Sequence, residues 1–180
     1  MAKKVLVITS SMRRGGNSET LADEFIRGAR DAGNDVEKIA LGDYELKFCK
    51  GCLACQKTEK CVINDGAAEI IEKMKNADVI AFATPIYYYE MSGQMKTLLD
   101  RANPLFPSEY RFRDIYLFSA AADESEDADE RALCGLQGWI ECFEKAELKG
   151  SVLAAGADSV GSVKGNLALE RAYEMGRAVK

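Results

Sequence analysis

The sequence predicts a single α/β domain over residues 1–180, built as a doubly wound, five-stranded parallel sheet in three α/β/α layers. Two observations predict this fold class. Short runs of consecutive apolar residues alternate with segments in which apolar residues recur every three or four positions, as expected of buried parallel strands and amphipathic helices. No internal repeat, low-complexity segment or linker divides the 180 residues, and that length is typical of one domain. Regular alternation of this kind favours right-handed crossovers.

The predicted elements follow in order along the chain. The first strand, Val5–Thr9, is a short apolar run that ends at a serine-rich loop, and the next apolar residues recur at helical spacing until Gly33 and Asn34 end that helix. Later strands are predicted at Val36–Leu41, Val79–Ala83, Ile115–Phe118 and Leu148–Ala155. Later helices are predicted over Ala67–Met74, over Ser92–Arg101, from the acidic run Asp123–Glu130 to about Lys145, and over Leu167–Val179. An irregular, cysteine-rich insertion occupies about 42–65, and a loop this long usually has a function.

Charge and composition exclude several classes of function. The chain has 24 basic and 29 acidic residues, a formal net charge of −5, and no histidine. The negative charge argues against nucleic acid as a partner, because phosphate backbones require a basic surface. The absence of histidine excludes Ser-His-Asp and Cys-His catalysis and the histidine-based zinc enzymes. No apolar stretch is long enough for a signal peptide or a membrane span, so we expect a cytoplasmic protein without a membrane partner.

The loop after the first strand has the composition of an anion-binding site. It runs from residue 10 to residue 18, contains two adjacent glycines and leads into the first helix. The N-terminus of a helix offers free N–H groups and a positive dipole end, which suit a phosphate, and glycines allow a close backbone approach. The candidate binding residues are Ser11, Arg13, Asn17 and Ser18. The loop matches neither the Walker A nor the GxGxxG pattern, and a solvated turn with an Asn or Ser helix cap is the competing interpretation.

Two further strand ends indicate the same ligand. Three consecutive tyrosines follow Pro85 and Ile86 at the end of the third strand, and their hydroxyls are hard to bury together. They suit the lining of a flat aromatic ligand, and an aromatic cluster at a subunit interface is the alternative. The fourth strand ends in the small-residue turn Ser119–Asp123, which would let the backbone approach the same ligand. Because the carboxyl ends of parallel strands meet at one edge of a sheet, we expect the three loops to converge.

These loops resemble those of the flavodoxin-like NAD(P)H-dependent FMN reductase family. The resemblance rests on residues 11–18 (SMRRGGNS), 85–88 (PIYY), 92–96 (SGQMK) and the pair Asp100-Arg101, and it covers the chain up to about residue 105. It implies a flavodoxin-like fold, FMN as the cofactor, NAD(P)H as the electron donor, and a homodimer or homotetramer. It also implies that the first loop holds the phosphate, and that the flavin ring packs on Pro85, Ile86, Tyr87 and Tyr88 while Ser119 and Asp123 close the site.

The cysteine-rich insertion contains Cys49, Cys52, Cys55 and Cys61 at the spacing C-x2-C-x2-C-x5-C. Four thiolates this close in sequence can surround one [4Fe–4S] cluster, and the spacing resembles the compact cysteine motif of the iron–sulfur flavoprotein branch of the family. That resemblance implies a cluster beside FMN. Thiols without a cluster and a zinc site are the alternatives. The lysines at 47, 50, 57 and 60 are expected to favour thiolate forms.

The combined expectation is an FMN-dependent NAD(P)H oxidoreductase or electron-transfer flavoprotein, in which the cofactor rather than a side chain carries the chemistry. Its electron partner would be a small molecule or, through the cluster, a ferredoxin-like protein. The alternatives are a cluster-free NAD(P)H reductase of quinone, azo, nitro or flavin substrates and a non-enzymatic flavodoxin-type electron carrier. A receiver or scaffold module is disfavoured, because Ser10 and Ser11 rather than acidic residues end the first strand.

Two apolar features complete the sequence-based prediction. Cys134 and Cys142 lie within an apolar helical pattern, and free cysteine behaves as a small buried hydrophobe, so both are predicted to lie in the core. The segment 104–107 (PLFP) and the three tyrosines are expected to be exposed apolar residues, which often form subunit contacts.

Overall fold

The structure is a computed structural model, and it describes all 180 residues. The strands are β1 (Lys4–Thr9), β2 (Asp35–Ala40), β3 (Val79–Tyr87), β4 (Glu90–Met91), β5 (Asp114–Ala120) and β6 (Glu147–Ala154). The helices are α1 (Asn17–Asp31), α2 (Cys55–Thr58), α3 (Ala67–Asn76), α4 (Gly93–Arg101), α5 (Glu130–Ile140) and α6 (Leu167–Arg177). Single turns of 3-10 helix lie at Leu41–Asp43 and Asn103–Leu105. None of these helices combines the length and the apolar character that a membrane crossing requires.

Five of the six strands form a parallel sheet in the order β2-β1-β3-β5-β6. The predicted doubly wound, five-stranded parallel sheet is therefore confirmed. The direction of strand addition reverses between β1 and β3, and in sheets of this type ligands bind outside the carboxyl ends of the strands at such a reversal. The sequence did not predict β4, because a strand of two residues has no periodicity to detect. It pairs antiparallel with the end of β3, Ile86 with Met91 and Tyr87 with Glu90.

Helices bury both faces of the sheet, which explains why its strands are apolar at consecutive positions. On one face, α1 and α6 cover a core that includes Val7 of β1 and Phe118 of β5. On the other face, α3, α4 and α5 cover a core that includes Ile8 of β1 and Phe82 of β3. Val7 and Ile8 are neighbours in sequence and enter different cores, because side chains alternate across a strand.

The contact between α1 and α6 depends on two glycines. A Cβ atom at Gly28 would lie 2.1 Å from the carbonyl oxygen of Tyr173, and a Cβ atom at Gly176 would lie 2.2 Å from the carbonyl oxygen of Phe25. Both distances are far below van der Waals contact with backbone atoms. The two helices therefore pack backbone to backbone, and no residue with a side chain fits at either position.

The structure differs from the sequence-based prediction around α5 and after α4. The acidic run from Asp123 does not begin a helix: it forms turns, and α5 starts at Glu130 and ends at Ile140. In the segment 104–107, the first two residues are buried and only Phe106 and Pro107 are exposed. The apolar patch predicted there is accordingly smaller than the sequence suggests.

The prediction that Cys134 and Cys142 are core residues is wrong, because both are exposed. The buried positions of α5 are Ala132, Leu136 and Ile140, at helical spacing. Cys134 lies midway between the first two of these and therefore on another side of the helix. Cys142 follows the end of α5.

We expect Gly176→Ala to lower the free energy of unfolding by about 1–3 kcal/mol, since the added methyl group forces α6 away from α1. Gly138→Ala is the matched control. Gly138 also lies within a helix, but no atom lies within 4 Å of its added Cβ, so alanine should stabilise by roughly 0.5–1 kcal/mol through helix propensity. Urea unfolding of both variants measures the difference, and equal effects would contradict the close packing of α1 and α6.

Candidate functional site

A cavity lies at the carboxyl end of the sheet, where the loops after β1, β5 and β6 meet the end of β3. Its volume is about 190 Å³, and its mouth is open to solvent. It is lined by Ser11, Arg13, Gly16, Asn17, Ser18, Pro85, Ile86, Tyr87, Ala120, Ala122, Ala157, Asp158 and Val160. The three loops that were expected to converge do meet here, and the loop after β6 completes the wall.

The amino end of α1 opens into this cavity. Gly16 precedes the helix in an extended conformation (φ −63°, ψ 158°), and no side chain caps the helix. The first backbone N–H groups of α1 are therefore left for a ligand, at the positive end of the helix dipole. A Cβ atom at Gly16 would lie 2.6 Å from Oγ of Ser11, so a larger residue would crowd the loop. These observations favour an anion cradle over a turn capped by Asn or Ser.

Asn17 lines the cavity, but its amide group is engaged by the protein. Nδ2 donates hydrogen bonds to the carbonyl oxygens of Ala157 (3.1 Å) and Ser159 (2.8 Å), and Oδ1 accepts one from the backbone N–H of Gly161 (3.1 Å). The side chain thus shapes the loop after β6, rather than offering a free amide to a ligand. This role required the tertiary structure, because the partners lie about 140 residues away.

Ser11 and Arg13 form the mouth of the cavity. The hydroxyl of Ser11 donates to the carbonyl oxygen of Arg13 (3.0 Å) and accepts from the N–H of Arg13 (3.2 Å), which closes a tight turn. The exposed guanidinium of Arg13 donates to the carbonyl oxygen of Asp158 (3.3 Å). That single contact draws Arg13 across to the loop after β6 and leaves most of its N–H donors available to an anion.

The loop after β3 is a strained hairpin. Tyr88 and Tyr89, between β3 and β4, both have positive φ angles of 52° and 67°, a conformation that favours Gly or Asn. The hydroxyl of Tyr89 donates to Oδ2 of Asp123 (2.9 Å), and the guanidinium carbon of Arg131 lies 5.6 Å from the centroid of its ring. These contacts anchor Tyr89, while Tyr87 lines the cavity and Tyr88 is 98% exposed.

Three of the predicted site residues do not line the cavity. Tyr88 extends into solvent. Ser119 is fully buried, and its hydroxyl donates to the carboxylate of Asp129; its neighbour Ala120 lines the cavity instead, because side chains alternate along a strand. Asp123 accepts hydrogen bonds from the N–H of Ser125 and the hydroxyl of Tyr89, and these lower the pKa of its carboxyl group below the usual value. Asp123 therefore anchors the tyrosine hairpin.

The loop after β6 supplies Ala157, Asp158 and Val160 to the cavity, and no motif in the sequence predicted this. The sequence contained one indication of this loop, because β6 also ends in small residues. Gly156, which follows them, has a positive φ of 68°. The segment does not belong to the motifs that carried the family resemblance, so it attracted no prediction.

The four clustered cysteines line a second, small cavity. Cys55 is buried and Cys61 half-buried, whereas Cys49 and Cys52 are exposed, and all four are free thiols. Three of the sulfurs accept N–H hydrogen bonds: Cys61 from Nη2 of Arg101 (3.4 Å), Cys55 from Nδ2 of Asn103 (3.5 Å) and Cys49 from the backbone N–H of Gly51 (3.4 Å). No three Cys, His, Asp or Glu side chains are gathered closely enough to hold a metal ion in this conformation.

The expectation that the flanking lysines favour thiolates is wrong for Cys55. Burial raises the pKa of the Cys55 thiol, and the neighbouring Cys61 raises it further. The cation that contacts a sulfur in this cavity is Arg101, which lies at the end of α4 and far away in sequence. Of the four flanking lysines, Lys50 also lines this cavity, so sequence proximity found one of its two basic residues and missed Arg101.

Comparison with known proteins agrees with the geometry of the first cavity. The sequence model of the NADPH-dependent FMN reductase family matches residues 3–140. The chain belongs to this family. The match includes the loops after β1, β3 and β5, which line the cavity, and also the whole cysteine segment.

Individual relatives of this chain are named as iron–sulfur flavoproteins. An iron–sulfur flavoprotein of Methanocaldococcus jannaschii is 41% identical over 102 residues, covering 57% of this chain and 53% of that protein. An iron–sulfur flavoprotein of Methanosarcina thermophila is 35% identical over 99 residues, covering 55% and 52%. The matches therefore span about half the length of these curated relatives. An NAD(P)H:quinone oxidoreductase of Methanothermobacter marburgensis superposes over 100% of both chains with a TM-score of 0.75 at 15% identity, which confirms the flavodoxin-like fold.

We expect Tyr88→Asn to raise the free energy of unfolding of the ligand-free protein by roughly 0.5–1 kcal/mol, because asparagine tolerates the left-handed conformation. Tyr88→Val is the matched control and should be destabilising, since a β-branched side chain is strained at positive φ. The exposed ring of Tyr88 loses little packing in either variant. Urea unfolding measures both, and a valine variant as stable as the asparagine variant would contradict the strained hairpin.

Proposed function

We propose that this chain is an NAD(P)H-dependent oxidoreductase that binds FMN in the cavity at the carboxyl end of the sheet. The observation that carries the proposal is the convergence, in one cavity, of the uncapped amino end of α1, the guanidinium of Arg13 and the end of β3 at Pro85, Ile86 and Tyr87. A phosphorylated, flat ligand requires an anion cradle at one end and an apolar slot at the other. Membership of the FMN reductase family selects FMN among such ligands.

Each wall of the cavity has a distinct role in the proposal. The N–H groups at the start of α1, together with Ser18 and Arg13, hold the phosphate. Ser11 and Asn17 keep the surrounding loops in position. Pro85, Ile86 and Tyr87 pack against the flavin ring, and Ala120 and Ala122 leave space for its edge. Bound FMN supplies electron transfer from a nicotinamide to an acceptor, so the side chains need only bind and orient.

We expect Arg13→Gln to weaken FMN binding about tenfold, equivalent to ~1.4 kcal/mol, through the loss of a charge-assisted hydrogen bond to the phosphate. Arg14→Gln is the matched control, because Arg14 pairs with Asp43 (2.8 Å) and does not line the cavity. Quenching of flavin fluorescence during titration measures both affinities. If Arg14→Gln weakens FMN binding as much as Arg13→Gln does, the phosphate is not held at this mouth.

We also propose that Cys49, Cys52, Cys55 and Cys61 hold a [4Fe–4S] cluster. The four thiols line one cavity, and N–H donors already face three of the sulfurs, as suits anionic thiolate ligands. Two relatives named iron–sulfur flavoproteins match this chain over 102 and 99 residues. A bound cluster supplies one-electron transfer, and its partner would be a small molecule or a ferredoxin-like protein. The chain's own part is to surround the cluster and donate N–H groups to the sulfurs.

The fact that the thiols are not gathered into a metal-binding group favours a second candidate, a cluster-free NAD(P)H reductase of quinone, azo, nitro or flavin acceptors. Iron and sulfide analysis separates the two candidates. Stopped-flow mixing with NADH or NADPH separates both from a flavodoxin-type carrier, since a carrier's flavin would stay oxidised. A cytoplasmic location and a homodimer or homotetramer remain predictions, and light scattering tests the latter.

We expect protein reconstituted anaerobically with iron and sulfide to show broad visible absorbance that Cys55→Ser abolishes, while the flavin bands remain. Cys134→Ser is the matched control, because Cys134 is an exposed thiol on α5, outside the cysteine cavity. Iron and acid-labile sulfide analysis accompanies the spectra. Bound zinc, or wild-type protein without iron and sulfide, would contradict the cluster proposal and leave the cluster-free reductase.

A further inference from the structure

Arg101 is a charged side chain with no exposure to solvent. It is the last residue of α4, and its side chain and that of its partner Asp65 are 0% and 2% exposed. Nη1 donates to Oδ2 of Asp65 (2.6 Å) and Nη2 donates to Oδ1 (2.9 Å), which is a two-point ion pair. A buried ion pair is weak evidence for stability, because desolvation of the charges offsets their attraction. Its position therefore calls for another explanation.

The same guanidinium group ties down both ends of the cysteine segment. Nη1 donates to the carbonyl oxygen of Lys47 (2.7 Å), two residues before Cys49, and Nη2 donates to that of Ile63 (3.3 Å), two residues after Cys61. The backbone N–H of Lys47 in turn donates to Asp65 (2.8 Å). One rigid planar group thus holds the entry and exit of the segment against α4.

Arg101 also faces the sulfurs themselves. It lines the cavity that the four cysteines share, and Nη2 lies 3.4 Å from Sγ of Cys61 as a hydrogen-bond donor. Its Nε is the one buried side-chain polar atom of the chain without a hydrogen-bond partner. A fully buried positive group with an unsatisfied donor, beside four potential thiolates, is suited to an anionic occupant of that cavity.

We propose that Arg101 is the positioning and electrostatic residue of the cysteine centre, where it holds the cysteine segment in place and stabilises the more negative, reduced state of the cluster. The inference rests on the proposed cluster, and it adds a role for a residue outside the cysteine motif. The physical cause is the low effective dielectric of a buried site, where a nearby positive charge and an N–H···S hydrogen bond both favour added electrons.

The test compares midpoint potentials of the reconstituted cluster in Arg101→Gln, Arg101→Lys and Asp65→Asn. Arg101→Gln removes the positive charge, so we expect about a tenfold lower ratio of reduced to oxidised cluster at a fixed potential, equivalent to roughly −59 mV for one electron. Asp65→Asn removes the balancing negative charge and should shift the potential in the positive direction. Arg101→Lys keeps the charge and should stay nearer to wild type than the glutamine variant.

The matched control is Arg111→Gln. Arg111 forms a comparable ion pair with Asp78 (2.7 Å), but that pair is at the surface, away from the cysteines. The midpoint potential of the cluster in Arg111→Gln should equal that in the wild type. A merely structural role for Arg101 would lower cluster content in both Arg101→Gln and Asp65→Asn without opposite shifts. Shifts of the same sign in Arg101→Gln and Asp65→Asn, or no shift in either, would overturn the electrostatic part of the inference. If Arg101→Gln holds no cluster, the midpoint potentials of Arg101→Lys and Asp65→Asn decide it.

A readout without the cluster tests the positioning role separately. Cys55 is buried in the clamped segment, so we expect Arg101→Gln to increase alkylation of Cys55 by iodoacetamide in the folded apoprotein about tenfold, with Cys134 as the internal reference. Unchanged labelling of Cys55 would overturn the positioning role. If wild type binds no iron and sulfide, the proposed cluster and the electrostatic role fail together, whereas the labelling result still decides whether Arg101 holds the segment.

Discussion

The parallel sheet imposes the constraint on which the fold and its first cavity depend. Its faces are covered by helices and its strands all end at one edge, so the space for a ligand lies beside the reversal between β1 and β3. Because α1 begins at that point, the free N–H groups of a helix are delivered to the cavity without any special side chain. The close packing of α1 on α6, through Gly28 and Gly176, fixes the carboxyl-terminal half of this helix.

The cysteine segment depends on a different interaction, the buried pair Arg101–Asp65. An insertion of this length has little regular structure of its own, with only the single turn of α2. A guanidinium group can bind a carboxylate, two carbonyl oxygens and a sulfur at once, since it carries five N–H donors in a rigid plane. One residue of α4 thereby gives an irregular loop a defined position on the rigid fold.

We propose an anionic occupant for each cavity, but the groups that line the two cavities differ. In the proposed function the first cavity receives a phosphorylated ligand, and the groups assigned to its phosphate are backbone N–H donors with the hydroxyl of Ser18 and one exposed arginine. The second is built around sulfurs, and its cation is buried. Strain marks the border of the first cavity, where Tyr88 and Tyr89 have positive φ angles and Asp123 anchors the hairpin. In each case a remote side chain keeps the loop in place, Asn17 at the first cavity and Arg101 at the second.

The sequence by itself determined the order of the five parallel strands and of the long helices between them, the convergence of the loops after β1 and β5 with the end of β3, and the family. These features follow from apolar periodicity and from the rule that parallel strands end together. The tertiary structure alone decided that Ser119 faces away, that Asn17 is occupied by the loop after β6, and that Arg101 is the cation beside the cysteines. The reason is physical: strand register and long-range hydrogen bonds join residues that are far apart in sequence, and no local pattern records which partners meet.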